Sequence, residues 1–177
     1  MRTILTAAGL AVILASPVLA QSAAEKTGVN SVMGVAPKTE DFVTEAAGSD
    51  MFELESSKLA LERSQDSATK SFAQQMITDH TKTSEELKAM VTSGKVKAAI
   101  SASMSSAQQS MLDDLKKLNG DDFAKLYHSA QEDAHEDAVD LFKRYGEEGE
   151  NAELKAWAAK TRPALEHHLM MAKNLNK

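Results

Sequence analysis

The chain contains no cysteine, which excludes disulfides, thiolate metal ligands, iron–sulfur clusters and a cysteine nucleophile together. Breakers and rings are also scarce: 3 Pro, 8 Gly and 5 % aromatics in 177 residues. That poverty argues against an all-β fold and for helices. Basic charge falls short of acidic charge, with 20 Lys and Arg against 26 Asp and Glu and a net charge of −6. Nucleic acid is therefore not an expected partner, because phosphate binding needs a basic face. There is no Gly-rich phosphate loop and no Gly-x-Ser-x-Gly, so no serine has the setting of a nucleophile.

What is present begins with an apolar run. Met1 to Ala20 reads MRTILTAAGLAVILASPVLA, with Arg2 ahead of Ile4–Leu14, a break at Ser16–Pro17, and small residues up to Ala20. This is the pattern of a secretory signal peptide over residues 1–20, cleaved between Ala20 and Gln21. The run is shorter than the roughly 20 residues a membrane span needs. The expectation is an exported, periplasmic chain with no membrane span after cleavage.

Residues 21–38 hold Gly28, Gly34 and Pro37 with no clear period and read as a flexible leader. Residues 39–177 then form one helical domain. Its first long helix is expected over 39–64, with Thr39 as N-cap and an apolar stripe of Val43, Ala47, Leu54 and Leu61 widened by Met51. Asp66 caps a second over 67–91, with Ala73, Met76, Ile77, Leu87 and Val91 inward. Ser105-x-x-Gln108 reads as a capping box for a short helix to Leu118. A third long helix is expected over 122–145 and a fourth from an Asn151 cap to Leu175, bent at Pro163. The fold class is all-α: a four-helix bundle, ferritin-like, with the short extra helix in the long connection between the second and third helices. A plain up-down bundle with a decorated loop stays open at this point.

Four helical wheels place the candidate chemistry. His80 falls mid-stripe on the second helix and His168 mid-stripe on the fourth, while His135 lies at the edge of the third helix's apolar face. On the first helix, Glu53 sits on a strip of small residues, Ala46, Ser49, Ser56, Ser57 and Ala60, which leaves room for a carboxylate to reach across. Glu53 and His80 share a height in their hairpin. His135 and His168, both counted from Glu148, differ by seven residues, or about 10 Å. Their meeting then needs the bend at Pro163 or a ligand between them.

Three imidazoles and a carboxylate suit zinc, copper or iron, so the candidate metal ligands are Glu53, His80, His135 and His168. The competing reading is three core histidines, each satisfied by a neighbour such as Asp79, Gln131 or Tyr127. A ferritin-type di-iron centre needs two Glu-x-x-His motifs. Glu132-x-x-His135 is one, but Leu165, Ala164 and Ile77 stand three before His168, His167 and His80. His167-His168 with Met170-Met171 raises copper, although core filling accounts better for methionines on apolar stripes.

Several of these residues also carry a likeness. Asp41-Phe42-Val43-x-x-Ala46-Ala47, Glu53-x-x-x-x-Lys58-Leu59-Ala60 and Phe72-Ala73-x-x-Met76-x-x-Asp79-His80 resemble the start of the bacterial domain-of-unknown-function 4142 family. Tyr127-x-x-x-Gln131-x-x-x-His135, Leu141-Phe142, Leu154-x-x-x-Ala158 and Pro163-x-Leu165-x-x-His168-Leu169 continue it. The resemblance implies an exported ferritin-like bundle in which His80, His135 and His168 are the family's histidines, and His128 and His167 are not. It implies no activity.

The functional expectation is an exported helical-bundle protein that binds a metal ion or small ligand between its helices, with zinc, copper or iron as the metals considered. The alternative is a non-catalytic envelope interaction or stress protein with structural histidines. An enzymatic role is disfavoured by the missing second Glu-x-x-His.

Overall fold

The computed structural model describes residues 22–26 and 28–177. The signal-peptide reading of residues 1–20 lies outside the described residues. The elements are α1 (Ala23–Lys26), α2 (Val29–Met33), α3 (Thr39–Arg63), α4 (Ser67–Thr92), α5 (Ser106–Lys117), α6 (Gly120–Glu148) and α7 (Ala152–Leu175). All are helices, and among the described residues no helix is long and apolar enough to cross a membrane.

Local chemistry sets most boundaries. The Asp66 carboxylate accepts from the Thr69 N–H at 2.7 Å, and the Asn151 side chain accepts from Leu154 N–H at 3.0 Å. Ser105 and Gln108 form both halves of a capping box at the start of α5. Thr39 departs from expectation. It is the first residue of α3 rather than its cap, its N–H donates to Glu150 Oε1 at 3.0 Å, and its hydroxyl bonds Tyr145 Oη at 2.7 Å. Partners more than a hundred residues away in sequence replace the local cap.

Contacts fix the helix directions. Phe42 stacks on Tyr145 with centroids 4.2 Å apart, and Ser57 bonds Tyr127 at 3.0 Å, so α3 and α6 run antiparallel. Trp157 Nε1 donates to Glu86 at 2.7 Å and His168 meets Asp79 at 2.9 Å, so α4 and α7 are antiparallel too. With α3–α4 and α6–α7 as hairpins, α4 and α6 must point the same way. The chain between them therefore travels the length of the helices. Lys95 at its start accepts from Asn151 Nδ2 at 3.0 Å; at its far end Arg63 Nη1 donates to the carbonyls of Leu115, Lys116 and Leu118 at 2.7–3.1 Å.

The α3 stripe holds at Val43 and Ala47, which are buried, but not along its second half. Leu54 and Leu61 are only half-buried, whereas Phe42, Ala46, Glu53, Ser56, Ser57 and Ala60 are buried. The small-residue strip faces the interior because it must let α6 approach and let Glu53 reach across. The apolar core falls into two clusters. One gathers Phe42, Leu87, Phe142, Tyr145, Leu154, Trp157 and Leu165; the other gathers Phe52, Phe72, Met76, Leu115, Phe123, Tyr127 and Ala172. Between them, each long helix contributes buried polar residues: Asp50 and Glu53, His80, Gln131 and His135, and His168.

The segment read as a leader is tied down. Arg144 on α6, with 6 % of its side chain exposed, pairs with Glu25 at 2.9 Å and Asp140 at 2.8 Å. It also donates to the Val35 carbonyl at 2.8 Å, and Ser22 N–H donates to Asp41 Oδ1 at 2.8 Å.

Candidate metal centre

The polar layer brings three imidazoles together. His80, His135 and His168 are each at most 3 % exposed. Their ring centroids are 5.7, 5.7 and 5.4 Å apart, and one nitrogen from each lies within 4.8 Å of the other two. The expected height mismatch between His135 and His168 is not found. His135 is thirteen residues before the end of α6 at Glu148, and His168 is sixteen after the start of α7 at Ala152. Counting both from Glu148 wrongly assigns the turn at 149–151 to α7. The true offset of three residues, about 4.5 Å along a helix, is within reach of two side chains.

Each ring spends one nitrogen on an orienting partner. His80 Nδ1 bonds Asp50 Oδ1 at 2.8 Å, and Asp50 also accepts from Thr83 at 2.9 Å and Ser84 at 3.0 Å. His135 Nδ1 meets its own helix at the Gln131 carbonyl, 2.8 Å away, and His168 Nε2 meets Asp79 Oδ2 at 2.9 Å. In the neutral rings, with those nitrogens donating, the remaining ones, Nε2 of His80 and His135 and Nδ1 of His168, carry lone pairs; at His80 a proton must leave first, because its acidic neighbours favour the charged ring. All three are buried without a hydrogen-bond partner.

Glu53 stands beside the triad. Its Oε1 is 3.8 Å from His135 Nδ1, and neither carboxylate oxygen has a hydrogen bond. Burial pushes its carboxyl up to about 7, opposed by the charge of His80. The histidines split. Burial drives His135 down to about 3, helped by the charge of His80, and it lowers His168 by the same causes. Burial also pulls His80 down, but the Asp50 bond and the charges of Glu53, Asp50 and Asp79 outweigh it and hold the ring above the ordinary histidine range.

The unpartnered atoms are concentrated here. Eight buried side-chain N or O atoms lack a hydrogen bond among the described residues, and six of them belong to Glu53, His80, Gln131, His135 and His168. Leaving such groups unpaired costs about 1–3 kcal/mol each. A metal cation can accept lone pairs from several imidazoles and a carboxylate at once. Histidine ligands that donate their second N–H to carboxylates or carbonyls are also the usual arrangement around a bound metal.

The other histidines stand apart. His128 Nε2 bonds Thr69 Oγ1 at 2.8 Å, and His167 is exposed. Glu132, half of the one Glu-x-x-His motif, accepts from Asn176 at 2.6 Å near the end of α7. Tyr127, a candidate histidine partner, bonds Ser57 instead. Asp50 is the residue that sequence reasoning missed. Its signal was the three-residue spacing to Glu53, which puts both carboxylates on one face of α3.

No curated protein and no solved structure matches the chain. A family model does, over residues 24–175, and with it the chain belongs to the family described as a domain of unknown function (DUF4142).

Proposed function

We propose that this is an exported, ferritin-like four-helix-bundle protein that holds one divalent metal ion in the polar layer between its two apolar clusters. His80 Nε2, His135 Nε2 and His168 Nδ1 supply three ligands, and Glu53 supplies the fourth. Three imidazoles and one carboxylate suit zinc, copper or iron. The bundle reading rests on two antiparallel hairpins joined by an end-to-end connection that carries α5. Export rests on the pattern of Met1–Ala20.

The observation that carries the reading is the convergence of three buried imidazoles, each with one unpartnered nitrogen. Had the histidines been structural only, both nitrogens of each ring would be hydrogen-bonded, as buried polar groups are. Here one nitrogen of every ring is oriented by a partner and the other is bare.

Elemental analysis of the untagged chain tests this. The expected result is close to one zinc, copper or iron per chain, lost in His80→Ala and in His168→Ala. A metal-free wild type, with both variants strongly destabilised, would instead identify three core histidines and favour a non-catalytic interaction protein.

A further inference from the structure

The three orienting partners of the triad differ in their access to water. Gln131 is fully buried and Asp50 has 8 % of its side chain exposed. Asp79, by contrast, has 36 % of its side chain exposed while the ring it holds, His168, has 3 %. Asp79 Oδ2 also accepts from the exposed amide of Gln75 at 3.1 Å. The layer is thus sealed on the α3 and α6 sides and has one carboxylate that touches both solvent and a candidate ligand. That carboxylate lies in the seam between α4 and α7.

His168 is also the candidate ligand whose helix carries a proline. It lies five residues past Pro163 within α7. Proline has no N–H to give, so the helix lacks the bond that residue 163 would make to the Ala159 carbonyl. His80 and His135 sit in helices with no internal proline.

We propose that the metal ion is loaded through the α4–α7 seam, with Asp79 as its first contact at the surface and His168 as the ligand that carries it inward. The proposal rests on the metal-site reading. A cation arriving at the seam binds the Asp79 carboxylate, which releases the His168 Nε2–H. The ring then offers its bare Nδ1 to the cation and delivers it to His80 and His135. Once the cation is seated, Nε2–H returns to Asp79 and locks the ring. No covalent bond changes in any step, and the carboxylate acts by charge and by position.

The test is kinetic. Zn2+ association with the purified, metal-stripped chain is followed by stopped-flow competition with a zinc-responsive dye. Dissociation is followed with excess chelator, and affinity at equilibrium. Asp79→Asn keeps an acceptor for His168 Nε2–H but removes the charge. It is expected to slow association about tenfold, in line with local electrostatic steering, and to flatten its dependence on ionic strength. Asp50→Asn, on the sealed side, is expected to speed dissociation and to leave association within about twofold of wild type, since steering acts only on the approach path. Asp113→Asn on exposed α5 removes the same charge elsewhere and should leave association unchanged. If Asp79→Asn associates as fast as wild type and only releases zinc faster, Asp79 merely orients His168 and the loading route is wrong. An equal slowing in Asp113→Asn would reduce the effect to net charge and overturn it as well. Zinc that binds the wild type but enters independently of Asp79 sinks this inference alone. A wild type that binds no zinc, copper or iron sinks the site reading with it.

Discussion

Glu53 is the residue whose burial costs most, and the cost has a pH signature. Its carboxyl titrates near 7 in the folded chain against an ordinary value of 4.5. A raised carboxyl binds its proton more tightly folded than unfolded. Folding is therefore unpenalised below about pH 4.5 and loses stability as pH climbs to 7, after which the loss is constant. A tenfold difference in proton affinity is worth about 1.4 kcal/mol, so the metal-free chain carries a penalty of about 3 kcal/mol at pH 8. Glu53→Gln removes the charge and keeps the shape. Chemical denaturation with chelator present should find Glu53→Gln level with wild type at pH 4.5 and more stable by about 1–3 kcal/mol at pH 8. His135, held down to about 3, acts in the opposite direction between pH 3 and 6.5 and is common to both proteins, so the difference between them reports Glu53 together with the His80 ring that its charge helps hold up. An advantage that does not grow with pH would mean that the carboxyl is ionised and satisfied in the metal-free protein. At this scale the sequence was half legible. The four inward residues stood out because a histidine on an apolar stripe, or a glutamate on a strip of small residues, breaks the pattern around it. Asp50 offers only its spacing to Glu53; its role is hidden, because its partners His80, Thr83 and Ser84 are reached only after α3 and α4 dock. Asp79 is a candidate histidine partner from sequence alone, but that it holds His168 across the seam is set only by the docking of α4 and α7.

At the scale of elements, local signals served where the cap is local and failed where it is distant. The caps at Asp66, Ser105 and Asn151 can be read from a few residues. α6 starts at Gly120 and reaches Glu148, beyond the expected 122–145, because Tyr145 is buried in the core and Phe42 stacks on it. The docking of α1 and α2 was invisible for a related reason: Glu25 and Arg144 are 119 residues apart. This docking yields a prediction with a definite scope. Replacing Arg144 by Met leaves Glu25 buried without its charge partner, a situation that costs about 3 kcal/mol when nothing can move. Here something can move. α2 buries no residue, and Val32 and Met33 are 89 % and 70 % exposed, so detaching the segment sacrifices little apolar burial. Arg144→Met should therefore strip amide-exchange protection and add protease cleavage within residues 22–37, with metal content retained. Arg144 lies about 13 Å along α6 from His135, nine residues on, which keeps the layer out of reach of the change. Loss of protection throughout α3–α7 would show instead that the segment is an integral part of the core.

On the scale of the whole molecule, the polar layer, which the proposed cation would fill, interrupts the apolar interior. It divides the apolar interior into two clusters, and each long helix crosses it with at least one buried polar side chain. A sequence selected for stability alone would place leucines there, since buried polar sets replaced by packed apolar residues are often neutral or stabilising by about 1–4 kcal/mol. The proposed metal gives the three bare imidazole nitrogens and the bare carboxylate a partner. That ties ligand to fold by mass action: at a free metal concentration about 100 times its dissociation constant, binding to the native state adds about 2.7 kcal/mol. For a chain of this length each 1 kcal/mol moves the midpoint by roughly 2–4 °C, so thermal unfolding should shift up by about 5–11 °C with zinc and return with chelator. The combined variant Glu53→Leu, His80→Leu, His135→Leu and His168→Leu should melt at the same temperature with or without zinc, and no lower than metal-free wild type. Such a variant melting well below metal-free wild type would mean that the layer holds the two clusters together through its own hydrogen bonds. The metal would then be incidental to the fold. A wild type indifferent to zinc, copper and iron alike would remove the reason for the layer altogether.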